Sequence, residues 1–191
     1  MSSPPDKIII ITAPSGAGKT SITRYLLSHI PELSFSVSAT TRQPRREYEK
    51  DGQDYYFLNE AEFKQRIQNQ EFAEWEMVYE GKYYGTLKSE LERIWKKNQT
   101  PLLDIDVKGA IHVQQQYPES SLSLFIEPPS IEELRRRLES RGTESPETLQ
   151  ARVSKASFEL SFRDHFNKVV VNNDLSLACE QAEAIIRKFL A

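Results

Sequence analysis

Residues 7–20 read Lys7-Ile-Ile-Ile-Ile-Thr12, then Ala13-Pro-Ser-Gly-Ala-Gly-Lys-Thr20, and this junction decides the fold. An unbroken β-branched run is the pattern of a strand buried on both faces, as in a parallel sheet. Beyond the glycines, Ile22, Tyr25, Leu26 and Leu27 recur at helical spacing until Pro31 closes the helix. A strand that passes through glycines into a helix suits a bound phosphate. Its backbone N–H groups can bend around the anion at the positive end of the helix dipole. Gly18, Lys19 and Thr20 fit the end of the pattern G-x-x-x-x-G-K-[ST], Ala13 stands where that pattern has its first glycine, and Gly16 adds a flexible point. Lys19 is then the candidate ligand for the β- and γ-phosphates of a nucleotide, and the Thr20 hydroxyl for its Mg²⁺.

Working outward, strands and helices alternate. Pro101-Leu-Leu-Asp-Ile-Asp106, Ser121-Leu-Ser-Leu-Phe-Ile-Glu127 and Lys168-Val-Val-Val-Asn172 read as further core strands. Helices are expected over 87–98, 108–116 and 131–141, and from Leu175 onward. Ser130 and Glu133 form a capping box, Gly142 stops that helix, and Ser145-Pro146 opens the next. This alternation predicts an α/β fold, a parallel sheet with helices on both faces. Residues 35–84 differ, being more polar, with short strand-like pieces and one helix near 60–69 capped by Asn59. They read as a small, mostly antiparallel insertion. A phosphate loop also needs an acid at the end of a neighbouring strand to hold the metal. Asp104 and Asp106 qualify, and as residues i and i+2 of the strand they should point the same way. The alternative for either is to cap the following helix.

Composition narrows the classes. At 191 residues the chain supports one good core. Its longest aliphatic run, Ile8 to Ile11, falls far short of the ~20 residues that cross a bilayer. The first seven residues have no basic segment followed by an apolar one, as a secretory signal would. The single cysteine, Cys179, excludes an intramolecular disulfide and reads as core filler, so a cytoplasmic location is expected. A net charge of −3 argues against a nucleic-acid partner. Arginines nevertheless cluster at Arg42, Arg45 and Arg46, and at Arg135, Arg136, Arg137 and Arg141. Such runs are either solvated faces or holders of small anions. His29, His112 and His165 have no metal-ligand spacing.

Several separated stretches resemble the guanylate kinases. Besides the phosphate loop they are Ser36-Val-Ser-Ala-Thr-Thr-Arg-Gln-Pro-Arg45, Asp54-Tyr-Tyr-Phe57, Phe72-Ala-Glu-Trp75, Tyr83-Tyr-Gly-Thr86, Leu103-Asp-Ile-Asp-Val-Lys-Gly109 and Leu138-Glu-Ser-Arg-Gly-Thr-Glu144. The Ser-x-Thr-Thr-Arg-x-Pro-Arg segment is the most specific of them. The resemblance implies one domain over 5–190, with a P-loop core (5–33, 89–129 and 164–190), a GMP-binding insertion (34–88) and a helical lid (130–163). It implies transfer of the γ-phosphoryl group of ATP, with Mg²⁺, to GMP and also dGMP, in purine nucleotide metabolism, by a monomer or small homo-oligomer.

The same resemblance carries site roles onto matching positions. ATP falls to Ala13, Pro14, Ser15, Gly16, Ala17, Gly18, Lys19, Thr20 and Ser21, with Asn172 at the adenine. The GMP phosphate falls to Arg42, Arg45, Tyr55 and Tyr84, and guanine to Ser38, Glu74, Thr86 and Asp106. Arg137, Arg141 and Arg152 join Lys19 in neutralising the transferring group, and Asp104 joins Thr20 on the metal side. The chemistry is coherent: guanidinium forks suit a phosphate dianion, and carboxylates accept from the N1 and N2 hydrogens of guanine. Three rival readings fit less well. Peptide-binding modules of this fold typically lack the phosphate-loop lysine, which is present here. A GTPase needs an Asn-Lys-x-Asp run, and Asn167-Lys168-Val-Val170 fails at the aspartate. A kinase for AMP or UMP would leave the base-facing carboxylates unmatched.

Overall fold

The computed structural model describes residues 6–44, 48–140 and 145–191. In it β1 (Ile8–Thr12) is the middle strand of a five-stranded, wholly parallel sheet. Its neighbours are β7 (Thr100–Asp104) and β8 (Ser121–Glu127), and the edges are β2 (Leu33–Phe35) and β9 (Lys168–Val171). All four isoleucines are fully buried, because alternate side chains of the strand feed opposite layers. Ile9 and Ile11 pack with α1 (Lys19–His29) and α7 (Leu175–Leu190), through Ile22, Leu26, Ala182 and Ile186. Ile8 and Ile10 pack with α3 (Lys88–Trp95) and α4 (Val107–Gln116), through Leu91, Val107, Ala110 and Val113. Each such side chain contributes roughly 1.5–3 kcal/mol of transfer free energy, so the run that announces the strand also anchors both layers. Cys179 is core filler in the first of these layers.

Two features depart from the sequence expectations. Leu33–Phe35 pairs in parallel with β7, so the core sheet continues past the boundary expected at residue 33. The segment is a three-residue edge strand, too short to carry a periodic signal. The strand β7 stops at Asp104 rather than reaching Asp106. Asp106 instead caps α4, accepting from the Gly109 N–H at 2.9 Å, so a shared strand face is not what relates the two aspartates.

The insertion contains β3 (Ala39–Thr40), β4 (Tyr56–Phe57), α2 (Glu60–Gln68), β5 (Phe72–Tyr79) and β6 (Lys82–Leu87). Its sheet runs β4-β3-β6-β5, with the β3–β4 pair parallel and the others antiparallel. Ala39, Phe63, Phe72 and Leu87 give it a core of its own. Asn59 accepts from the Glu62 N–H at 2.8 Å, as the capping pattern predicts. The segment expected as a lid holds two helices, α5 (Ile131–Glu139), capped by Ser130, and α6 (Pro146–Leu160), capped by Ser145. They pack through Leu134, Leu138, Val153 and Ala156. Gly142, the expected stop between them, lies outside the described residues. Among the described residues no helix is long and apolar enough to cross a membrane.

Candidate active site

The phosphate loop turns on Gly16 and Gly18, whose φ angles of 94° and 98° lie in the left-handed region that favours glycine. Gly18 is confined in a second way: a β-carbon there would sit 2.2 Å from the Asn172 amide nitrogen. That amide donates to the Ala17 carbonyl at 2.8 Å, so Asn172, directly after β9, buttresses the loop from behind. Ala13 is packed into the core beneath it. No side chain caps α1 and no acidic residue occupies its first turn. Its leading N–H groups and positive dipole end therefore face the loop without an internal anion, which is the electrostatic requirement for a phosphate.

Lys19 forms an ion pair with Asp104. Burial pulls its ammonium from the usual 10.5 down to about 8, with Asp106 and Glu159 opposing. At that value it is still mostly a cation near neutrality, as its pairing with Asp104 requires. From α6, Arg152 reaches the loop and donates to the Ser15 hydroxyl at 3.2 Å. Arg137 turns elsewhere, donating to Glu133 at 2.8 Å and to the Asn172 carbonyl at 3.0 Å. Arg141 and Arg45 lie outside the described residues. Thr20 and Asp104 line the same cleft and present hard oxygens. Among the described residues no group of three or more His, Cys, Asp or Glu is arranged around a metal position. The donor set thus fits Mg²⁺ held by one carboxylate, water and substrate phosphates rather than by a protein cage.

A cleft of about 590 Å³ joins this loop to the insertion. Ser15, Lys19 and Thr20 line one end, and Ser38, Tyr55, Glu74, Tyr84 and Asp106 line the other. Strand alternation explains why Tyr84 faces the cleft while Tyr83 packs against Phe63 in the insertion core. Glu74 is only 6% exposed, and burial raises its carboxyl from 4.5 to about 7, with Asp106 adding to the effect. Thr86, opposite it in the β5–β6 register, donates to Glu74 Oε1 at 2.7 Å and works against that rise. The first turn of α4 completes the arrangement. A β-carbon on Gly109 would fall 2.6 Å from Glu74 Oε2 and 3.6 Å from Asp106 Oδ1. Absence of a side chain at 109 thus leaves room for the Glu74 carboxylate, with Asp106 at ordinary contact distance from the same point. Arg42 is 8% exposed, held by Glu49 through two 2.8 Å bonds, and its guanidinium lies 4.6 Å from the Tyr55 ring centre.

Several lining residues are not among those expected from sequence, Glu76 and Val78 of β5 at the acceptor end among them. Lys155 and Glu159 of α6 line the phosphate end beside Lys19. Burial raises the Glu159 carboxyl, opposed first by Lys155, whose ammonium lies 3.7 Å away. In sequence they form an ordinary i, i+4 pair on an amphipathic helix, and only the packing of α6 over the loop distinguishes them.

A family model described as guanylate kinase matches residues 5–189. The guanylate kinase of Bacteroides fragilis is 49% identical over 184 residues, covering 96% of this chain and 90% of that protein. The guanylate kinase of Porphyromonas gingivalis is 50% identical over 186 residues, covering 97% and 98%. Among solved structures, the crystal structure of guanylate kinase from Anaplasma phagocytophilum superposes with a TM-score of 0.75. It shares 34% identity and covers 95% of this chain and 85% of that one.

Proposed function

This chain belongs to the guanylate kinase family and so transfers the γ-phosphoryl group of ATP to GMP, and we propose how its own residues divide that work. The observation that carries the proposal is the single cleft with Lys19 and Thr20 at one end and Ser38, Glu74 and Tyr84 at the other. A donor phosphate on the loop and an acceptor phosphate within the insertion would face each other across it.

At the donor end, the backbone N–H groups of 16–20 surround the β- and γ-phosphates, with Ala13, Pro14, Ser15 and Ser21 completing the ATP contact. Lys19 exchanges Asp104 for a phosphate oxygen, a better partner for a partly buried ammonium. Asn172, beside Gly18, flanks the adenine. The family generally works with Mg-ATP, and here Thr20 and Asp104 would hold the ion. When bound it supplies charge neutralisation on the β- and γ-phosphates. Arg152 already touches the loop, and closure of α5 and α6 brings Arg137 and Arg141 toward the transferring group.

At the acceptor end, Arg42, Arg45, Tyr55 and Tyr84 grip the GMP phosphate. Glu49 keeps the Arg42 fork in place when no anion is present. Glu74 and Asp106 accept from N1 and N2 of guanine, Ser38 donates to O6, and Thr86 orients Glu74. Adenine has an acceptor at N1, a donor at C6 and no 2-amino group, so it would leave buried carboxylates unmatched. Such sites discriminate by about 10⁴. The attacking phosphate oxygen is already anionic, so positioning and charge replace a general base. These groups address base and phosphate rather than the ribose 2′ position, so dGMP is accepted too, and the reaction serves purine nucleotide metabolism and GMP recycling in the cytoplasm. A coupled assay of ADP formation with GMP, dGMP, AMP and UMP tests this reading. Turnover is expected with the two guanine nucleotides, and comparable turnover with AMP would overturn the base assignment.

A further inference from the structure

Glu90, in the first turn of α3, has 1% of its surface exposed, and the transfer as described above makes no use of it. Its carboxylate receives four hydrogen bonds. Oε1 accepts from the Val37 N–H at 2.9 Å and from Arg93 Nη2 at 2.8 Å. Oε2 accepts from the Tyr56 hydroxyl at 2.8 Å and from Arg93 Nε at 2.7 Å. A buried carboxylate is tolerated only when paired and hydrogen-bonded, and Arg93 at i+3 meets the first need from within the same helix. The other two donors come from separate segments. Val37 directly precedes Ser38, and Tyr56 directly follows Tyr55. The helix that carries Glu90 continues without a break from β6, which carries Tyr84 and Thr86. One carboxylate thus ties together the three arms that bear Ser38, Tyr55 and the β6 pair, at the place where the insertion joins the core.

We propose that Glu90 is a positioning residue for the acceptor nucleotide, fixing the Val37 amide and the Tyr56 hydroxyl so that Ser38 and Tyr55 face β6 across a preset GMP pocket. This rests on the reading that Ser38 and Tyr55 hold GMP. A purely helical role would need only Arg93, whereas the cross-segment bonds add fixed distances between arms that share no covalent neighbour.

Steady-state kinetics on Glu90→Gln, Tyr56→Phe, Ser38→Ala and the Glu90→Gln/Ser38→Ala double variant test it. Glu90→Gln replaces one acceptor oxygen with a donor facing Val37 N–H or the Tyr56 hydroxyl, and KM for GMP should rise about tenfold. KM for ATP, and kcat at saturating GMP, should stay within about twofold. Tyr56→Phe, which leaves the carboxylate otherwise paired, should raise KM for GMP about threefold. The double variant should lose less than the product of the two single losses, because part of the Glu90 effect passes through the Ser38 hydroxyl that the second substitution removes. Equal rises in both KM values, or fully multiplicative losses when Ser38→Ala by itself raises KM for GMP, would overturn the positioning role. If Glu90→Gln does not fold, Tyr56→Phe decides, and an unchanged KM for GMP in that variant overturns the proposal. A normal KM for GMP in Ser38→Ala beside a raised one in Tyr56→Phe would instead remove Ser38 from the acceptor site and leave Glu90 acting through Tyr55.

Discussion

The donor end of the cleft is built around one stretch, residues 13–21, with Asp104 and the α6 pair Lys155 and Glu159 beside it, and on the proposed reading it binds chiefly through backbone, whereas the acceptor end gathers Ser38, Tyr55, Glu74, Tyr84 and Asp106 from separate segments. The first depends on conformation: two glycines at positive φ, an uncapped helix and one lysine. The second depends on buried side-chain chemistry, a carboxyl raised to about 7 and held by Thr86, beside a helix-capping aspartate. A backbone cradle recognises any triphosphate tail, because N–H groups carry no information about the base. Discrimination must then reside at the acceptor end, where an unmatched buried carboxylate is costly. Damage to the donor end should stop the reaction for every acceptor, and damage to the acceptor end should change which acceptor is used.

The sharpest way to break this contrast is Lys19→Met. Turnover should fall by about 10³ with every acceptor, because a clamp on the transferring phosphates is lost. The circular dichroism spectrum should be retained, since Lys19 is not part of the core. Near-normal turnover would remove the lysine from the mechanism.

Glu74→Gln comes next. It should lower the preference for GMP over AMP by about 10², because an amide donor then faces a guanine donor. IMP, which keeps N1–H and lacks the 2-amino group, sharpens the result. If Glu74 serves only the amino group, the variant should handle IMP nearly as the parent does. Unchanged selectivity would move base recognition elsewhere.

Arg42→Met should raise KM for GMP about tenfold, the loss of one charge-assisted contact, while KM for ATP stays put. A matching rise for ATP would place Arg42 at the donor end and blur the division between the two sites.

The smallest effect is a pH dependence. With its carboxyl raised from 4.5 to about 7, free Glu74 passes from mostly protonated to mostly ionised near neutrality. Only the ionised form accepts from guanine on both oxygens. GMP should therefore bind about threefold more tightly at pH 7.5 than at 6.5, with proton release on binding measurable by calorimetry in buffers of different ionisation enthalpy. Glu74→Gln isolates this component from the titration of the GMP phosphate itself, and an identical pH profile in that variant would rule Glu74 out as its source. The same shift has a stability consequence of defined sign. The folded chain keeps the Glu74 proton to higher pH than the unfolded chain, so this group lowers stability progressively from about pH 4.5 to 7 and by a constant amount above.

The sequence by itself determined the features that depend on neighbours along the chain. The isoleucine run, the glycines before Lys19, and the caps at Asn59, Ser130 and Ser145 each act within a few residues, and each appears in the structure where its pattern placed it. Family-specific stretches extended that reach to Ser38, Glu74 and Asp106, though not to the reason they meet. Tertiary structure decided what depends on distance in space. It made Leu33–Phe35 a core edge strand, ended β7 at Asp104 and turned Asp106 into a helix cap. It brought Lys155 and Glu159 over the phosphate loop, put Gly109 against Glu74, and converged Val37 and Tyr56 on Glu90. Burial is the physical reason for the divide. Glutamates 74, 90 and 159 look like any surface carboxylate in the chain, and their chemistry arises only when packing removes their water and chooses the donors that replace it.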